Sequence, residues 1–433
     1  MSREMKYSGV AWIGDIPNRW KVVRHKNVMH KQKDIQEIYH EQDIISLTMG
    51  GVVVRDLNAG GKMPTSFDGY QHVYPNDLLL CLFDIDVTPR CVGLVKNAGV
   101  TSPAYSRFIT HSNAYAPYYD YLLRYIDDYK CFLHLSKNLR SSLTETDFGV
   151  IYTCLPPLVE QKAIADFLDK KCNEIDELVA LQEKMIEELK AYKQSAITEA
   201  VCKGLNPNVP MKDSGIKWVG DIPEGWSVDR LKSIGKLYGG LSGKSGDDFN
   251  VNEEDTYALF IPFTNIFNNN VIDLNKLYKV KVVEGEIQNE VSKGDILFLM
   301  SSEDYEGLGK SCLMNDSVPS LYLNSFCKGL RITAENIHSP YINYMLLSTP
   351  MRHMIMSMGN GFIRINLRAE KLITLPILLP TFTEQQEIAD YLDKKCNGID
   401  QLISIKQQKI VELKDYKKSL IYEYTTGKKE VKL

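Results

Sequence analysis

Several absences narrow the chemistry of this 433-residue chain. Its nine cysteines contain no C-x-x-C pair, which argues against a zinc ribbon or a thioredoxin-like site and predicts scattered, reduced thiols. No apolar run approaches the ~18 residues that cross a bilayer. The best candidate, Ile373 to Phe382, is broken by Pro376 and Pro380. The opening residues Met1, Ser2, Arg3, Glu4, Met5 and Lys6 lack the apolar core of a secretion signal, so the expected location is cytoplasmic. Nor is there a large excess of one charge: 51 basic against 55 acidic side chains give a net charge of -4. That excludes a uniformly basic nucleic-acid coat and leaves room for a local basic face.

Catalytic signatures are missing too. The eight histidines form neither H-E-x-x-H nor another short metal-ligand spacing, and no G-x-S-x-G elbow occurs. Gly243-Lys244-Ser245 and Gly309-Lys310-Ser311 suggest a P-loop, which needs a glycine five positions earlier to start the phosphate-cradling turn. Tyr238 and Asp304 stand there instead. Asp84 and Asp86 have no supporting motif and are read as loop residues. No residue is nominated as catalytic or as a metal ligand.

What the chain contains is one pattern, twice. Ser8 to Trp20 (SGVAWIGDIPNRW) matches Ser214 to Trp226 (SGIKWVGDIPEGW) at eight of thirteen positions. Glu160 to Asp176 (EQKAIADFLDKKCNEID) matches Glu384 to Asp400 (EQQEIADYLDKKCNGID) at thirteen of seventeen. Between the motifs the copies diverge, and the second is eighteen residues longer. Each copy is therefore a divergent half followed by a retained half.

Each retained half predicts a long helix, opening after Pro156-Pro157 and after Pro380. Ile175, Leu178, Leu181, Met185, Leu189, Tyr192 and Ala196 lie three and four residues apart. Ile399, Leu402, Ile405, Leu413, Tyr416 and Leu420 take the matching places, with Lys409 interrupting. A mean spacing near 3.5 marks a coiled-coil seam. Two rods of about 60 Å, at 1.5 Å per residue, are thus expected to pair, antiparallel if a pseudo-twofold relates the copies. The divergent halves carry short apolar runs such as Asp77 to Phe83 and Asp295 to Met300, followed by Gly93-Leu94-Val95 and Gly309 to Leu313, which suggest twisted sheets. The expected fold class is α+β: two mixed α/β domains (1–155 and 206–378) and an antiparallel two-helix coiled coil (156–205 and 379–433).

Cations cluster in the divergent halves. Lys21, Arg24, His25, Lys26, His30, Lys31 and Lys33 fall within thirteen residues without an acid, and Arg24 and Lys26 recur as Arg230 and Lys232. Loops add Arg90, Arg107, Lys244, Lys310, Arg364 and Arg368. Such residues fit phosphate contact with polar base readout from loops. The candidate DNA contacts are Arg24, Lys26, Arg90, Arg107, Lys244, Ser245, Lys310 and Arg364. The candidate helix-pairing or partner contacts are Ile175, Leu178, Leu189, Tyr192, Ile399, Leu402, Leu413 and Tyr416.

With Leu155-Pro156-Pro157, Glu160-Gln161 and Ile164-Ala165 repeated as Leu379-Pro380, Glu384-Gln385 and Ile388-Ala389, the chain resembles the specificity subunit of bacterial type I restriction–modification systems. The WIGDIP and WVGDIP openings, Asp295-Ile296-Leu297-Phe298, the NGFIRINL run from Asn360 and Thr426-Gly427-Lys428 extend the resemblance over essentially the whole chain. It implies two target-recognition domains, each reading half of a bipartite asymmetric DNA sequence, with the helices setting the half-site spacing. It also implies that the chain is not itself an enzyme. Two DNA adenine methyltransferase (modification) subunits and restriction (translocase-nuclease) subunits would dock on it, and S-adenosylmethionine, ATP and magnesium would belong to those partners. A coiled-coil scaffold that assembles partners without reading DNA is the competing expectation, and it would show no salt-dependent DNA affinity.

Overall fold

The computed structural model describes residues 3–58, 64–88, 90–133, 141–251, 257–283 and 285–431. The chain divides into two compact units: unit 1 is Met1–Glu183 with Gln407–Leu433, and unit 2 is Lys184–Lys406. The divisions fall inside the long helices Leu158–Lys203 and Phe382–Thr425, so each unit owns a segment of both.

Unit 1 is built on an antiparallel sheet in the order Met29–Lys31, Ser106–Thr110, Leu78–Leu80, Val92–Leu94. The apolar run after Asp77 is an inner strand. Leu78 and Leu80 enter the main core with Phe108 and Leu122, while Leu79 joins Ile45 and Val73 on the opposite face. That is the two-residue alternation of a strand covered on both sides. Unit 2 repeats the plan with Gly235–Gly239, Cys327–Ile332, Ile296–Leu299 and Ser311–Leu313. Ile296 and Phe298 face one core, and Leu297 and Leu299 the other. A second sheet in unit 2 joins Tyr278–Val280, Ala258–Ile261 and Leu321–Leu323, the last two running parallel.

The retained motifs join helix to domain within each unit. The buried indoles of Trp20 and Trp226 donate to Glu160 at 2.8 Å and to Glu384 at 3.0 Å. Gln161 Oε1 accepts from Tyr115 N at 2.8 Å, and its Nε2 donates to Asn113 O and Pro156 O. Gln385 does the same with His338 N, Asn336 O and Pro380 O. Tyr121 donates to Asp169 and Tyr344 to Asp393. Ile164, Ala165 and Leu168 are buried, as are Ile388, Ala389 and Leu392. Helix identity between the copies is therefore in large part the identity of this joint.

The helix segments run antiparallel within each unit. In unit 1, Lys417 holds Asp176 at 2.7 Å and Lys414 lies 3.9 Å from Glu183. In unit 2, Lys193 holds Asp400 at 2.6 Å and Lys406 Nζ meets Met185 Sδ at 3.4 Å. The seam differs from the one expected. Ile175 and Ile399 are buried and Leu189 and Leu413 half-buried, but Leu178, Tyr192, Leu402 and Tyr416 are 46%, 52%, 49% and 53% exposed. Val179 and Ile186 are buried in their place, with Ile403 and Ile410 half-buried. The seam keeps its 3.5 period, through positions 175, 179, 182, 186, 189 and 193 and through 399, 403, 406, 410, 413 and 417. Gln182, Lys193, Lys406 and Lys417 occupy some of those positions, which disguises the seam in the sequence. The more apolar stripe beside it is left facing solvent.

Candidate nucleic-acid interface

The predicted cations separate into two groups. Arg107 is buried in unit 1, with its Nε 2.5 Å from Asp77 and its guanidinium 5.0 Å from the Tyr74 ring. It ties the strand Ser106–Thr110 to the residue that opens Leu78–Leu80, and Arg331 with Asp295 repeats the pair in unit 2 at 2.7 Å. Arg90 is held by Asp128 at 2.9 Å and by Asp127. Lys244 is neutralised by Glu286 at 2.6 Å, which holds that carboxyl down at about 2, and Ser245 caps a short turn through Asp248. Lys310 donates to Phe267 O over the Phe267 ring, and burial lowers its pKa. All five candidates are engaged in contacts within the chain. Each has a partner remote in sequence except Ser245, whose partner is local.

The remaining cations are exposed, except Lys31, which is half-buried. In unit 1, Arg24 ends the strand Lys21–Arg24, 5.7 Å over the Tyr152 ring, with Lys21 and Lys26 exposed beside it in the chain. His30 and His111 share a hydrogen bond at 3.1 Å. In unit 2, Arg364 and Arg368 are exposed, as are Arg230 and Lys232. Arg364 lies 5.2 Å over Phe326. Next to it Phe362 and Ile363 are fully exposed, a feature signalled only by an apolar pair between Gly361 and an arginine.

His25, inside the basic cluster, is not part of a cationic face. It is buried and stacked on Phe148 at 4.5 Å, with Nδ1 3.3 Å from Phe148 O. Burial pushes its pKa down to about 4. Because the folded pKa lies below the unfolded value near 6.5, the imidazole stays neutral and its stability contribution is whole above pH 6.5. That contribution falls with pH, by about 3 kcal/mol near pH 4. The His25 ring resonance should therefore titrate near pH 4 in the folded chain; a midpoint near 6.5 by NMR would contradict its burial.

Among the described residues no group of three or more His, Cys, Asp or Glu is placed to hold a metal ion. No described helix is long and apolar enough to cross a membrane.

Comparison with known proteins adds to this geometry. Residues 223–415 match the type I restriction modification DNA specificity domain. The chain is 28% identical over 329 residues to a putative type I restriction enzyme MjaX specificity subunit of Methanocaldococcus jannaschii, covering 74% of this chain and 70% of that protein. It is 27% identical over 278 residues to the MjaVIII specificity subunit of the same organism, covering 64% of this chain and 62% of that one. A solved chain of a type I R-M system shares the fold with a TM-score of 0.70 at 16% identity, covering 95% of this chain and 98% of that one. The HsdS subunit of Thermoanaerobacter tengcongensis shares it at 0.54, also at 16% identity and with the same coverage of each chain. The matched domain lies in the second half of the chain and is described as one of DNA specificity. Both named relatives are type I restriction enzyme specificity subunits, and the chain is similar to them over well over half of its length.

Proposed function

We propose that the chain is the non-catalytic DNA-reading subunit of a type I complex, with the divergent part of each unit reading one half of a bipartite target. Support comes above all from unlike exposed faces carried on like joints. The Trp–Glu and Gln clasps recur in both units, whereas Arg24 over Tyr152 and Arg364 over Phe326 lie on surfaces of different sequence. An asymmetric target needs two different readers, and two identical partners need two equivalent seats.

Those seats are the exposed apolar stripes: Leu178, Leu181 and Tyr416 in unit 1, and Tyr192, Leu402 and Ile405 in unit 2. A monomer gains nothing from apolar rows in water, and their recurrence suits two copies of a methyltransferase subunit. Restriction subunits would join the assembled complex. S-adenosylmethionine, ATP and magnesium belong, in this proposal, to the partners.

The test is methylation mapping after co-expression with the cognate methyltransferase in a methylation-free host. A single bipartite adenine-methylated motif, changed one half at a time by exchanging residues 1–150 or 215–375, is the expected result. No motif from a soluble complex would favour the scaffold alternative. The helices are proposed to set the half-site spacing. Four residues inserted into both, about 6 Å of helix, should lengthen the spacer by roughly two base pairs. An unchanged motif would disprove the spacing role.

A further inference from the structure

The turn at residues 360–366 of unit 2 exposes two adjacent apolar side chains from a fixed base. Phe362 is 104% and Ile363 93% exposed, where a turn serving only to connect would be polar. Asn360 and Asn366 exchange backbone hydrogen bonds at 3.1 and 2.9 Å, and Ile365 pairs with Ser302. Ile365 and Leu367 are buried beneath the turn. Gly361 takes φ +139, and a Cβ there would lie 2.1 Å from Arg364 O, so the tip requires glycine.

The surroundings suit a nucleic-acid groove better than a row of phosphates. Arg364 rests over the half-exposed ring of Phe326, and Arg368 is exposed four residues on. Glu303, exposed beyond Ser302, would repel a phosphate track but tolerates base edges. Apolar side chains flanked by cations are the means by which proteins part stacked base pairs.

We infer that Phe362 and Ile363 form a wedge that enters the duplex at the half-site read by unit 2 and opens one base step, with Arg364 on the adjoining phosphates. The inference rests on the DNA-reading function proposed above and adds a mode of readout. Pyrimidine–purine steps unstack most easily, so the wedge selects sequence at a position where no side chain contacts a base edge.

The test uses the full chain assembled with its methyltransferase, and duplexes of the mapped motif carrying 2-aminopurine at successive steps. Fluorescence should rise several-fold at one step of the half-site exchanged with residues 215–375. That step should lie away from the methylated adenine, whose own flipping would raise its signal. The double variant Phe362→Ala, Ile363→Ala should abolish the rise and weaken binding about tenfold, with the salt dependence unchanged. Phe362→Tyr should keep the rise. Arg364→Ala should also keep it while lowering the salt slope by about one. Salt-dependent binding with no rise, or a rise surviving the double variant, would overturn the wedge and leave DNA reading intact. Absence of salt-dependent affinity in the unaltered complex would overturn both. A double variant that folds but no longer assembles would assign the tip to a protein contact and end the wedge.

Discussion

Leu402→Asp with Ile405→Asp should strip one methyltransferase copy from the complex and leave the melting temperature of the chain alone unchanged. Both side chains are about half or more exposed, so neither contributes appreciably to the stability of unit 2. Burying the exposed half to two thirds of each beneath a partner would contribute about 1–2 kcal/mol. Losing both costs about 2.5 kcal/mol, or roughly seventyfold in Kd, before the carboxylates add their desolvation. Leu178→Asp with Leu181→Asp should remove the other copy by the same physics in unit 1. Native mass spectrometry would then read one methyltransferase per chain for either pair and none for the four substitutions together. Full assembly with all four would show that the stripes are not the seats.

Asp77→Ala should destabilise unit 1 by about 3–5 kcal/mol, because it leaves the Arg107 guanidinium buried without its counter-charge. The side chains of Asp77 and Arg107 are only 7% and 5% exposed. Asp295→Ala removes the corresponding carboxylate from unit 2 and should cost less, about 2 kcal/mol, because the Arg331 side chain is 42% exposed and can turn into water. Trp12 and Trp20 report on unit 1, and Trp218 and Trp226 on unit 2, so urea unfolding of Trp→Phe backgrounds separates the two. Equal losses would contradict the difference in burial. Arg107→Ala, by the same logic, should weaken DNA binding through unfolding, in parallel with Asp77→Ala.

The contrast between Arg107 and Arg364 shows where sequence reasoning reaches its limit. Strands announced themselves: Leu78–Leu80 and Ile296–Leu299 are apolar at every position because both faces are covered, and short runs bounded by Asp and Gly carry that signal locally. The helices and their joint were legible because repetition marked the residues that matter. Ion pairs were not. Lys244 finds Glu286, and Arg107 finds Asp77, across loops that no local pattern reveals, so buried and free cations look alike in sequence. The helix seam was hidden for another reason. Two neighbouring stripes both keep a heptad period, and only packing shows which one serves the partner helix of the same chain.

The Gln161 and Gln385 clasps reach, in each divergent domain, for main-chain atoms alone: an amide at Tyr115 or His338 and a carbonyl at Asn113 or Asn336. Every amino acid except proline offers that pair of groups. This part of the coupling is therefore blind to side chains, and a domain can change its surface, or be replaced wholesale by a foreign one of like backbone, without renegotiating the attachment. Evolution can exchange such a reader as a cartridge, and a designer can do the same by cutting just outside the two tryptophan-bounded openings and just before the proline-led helices.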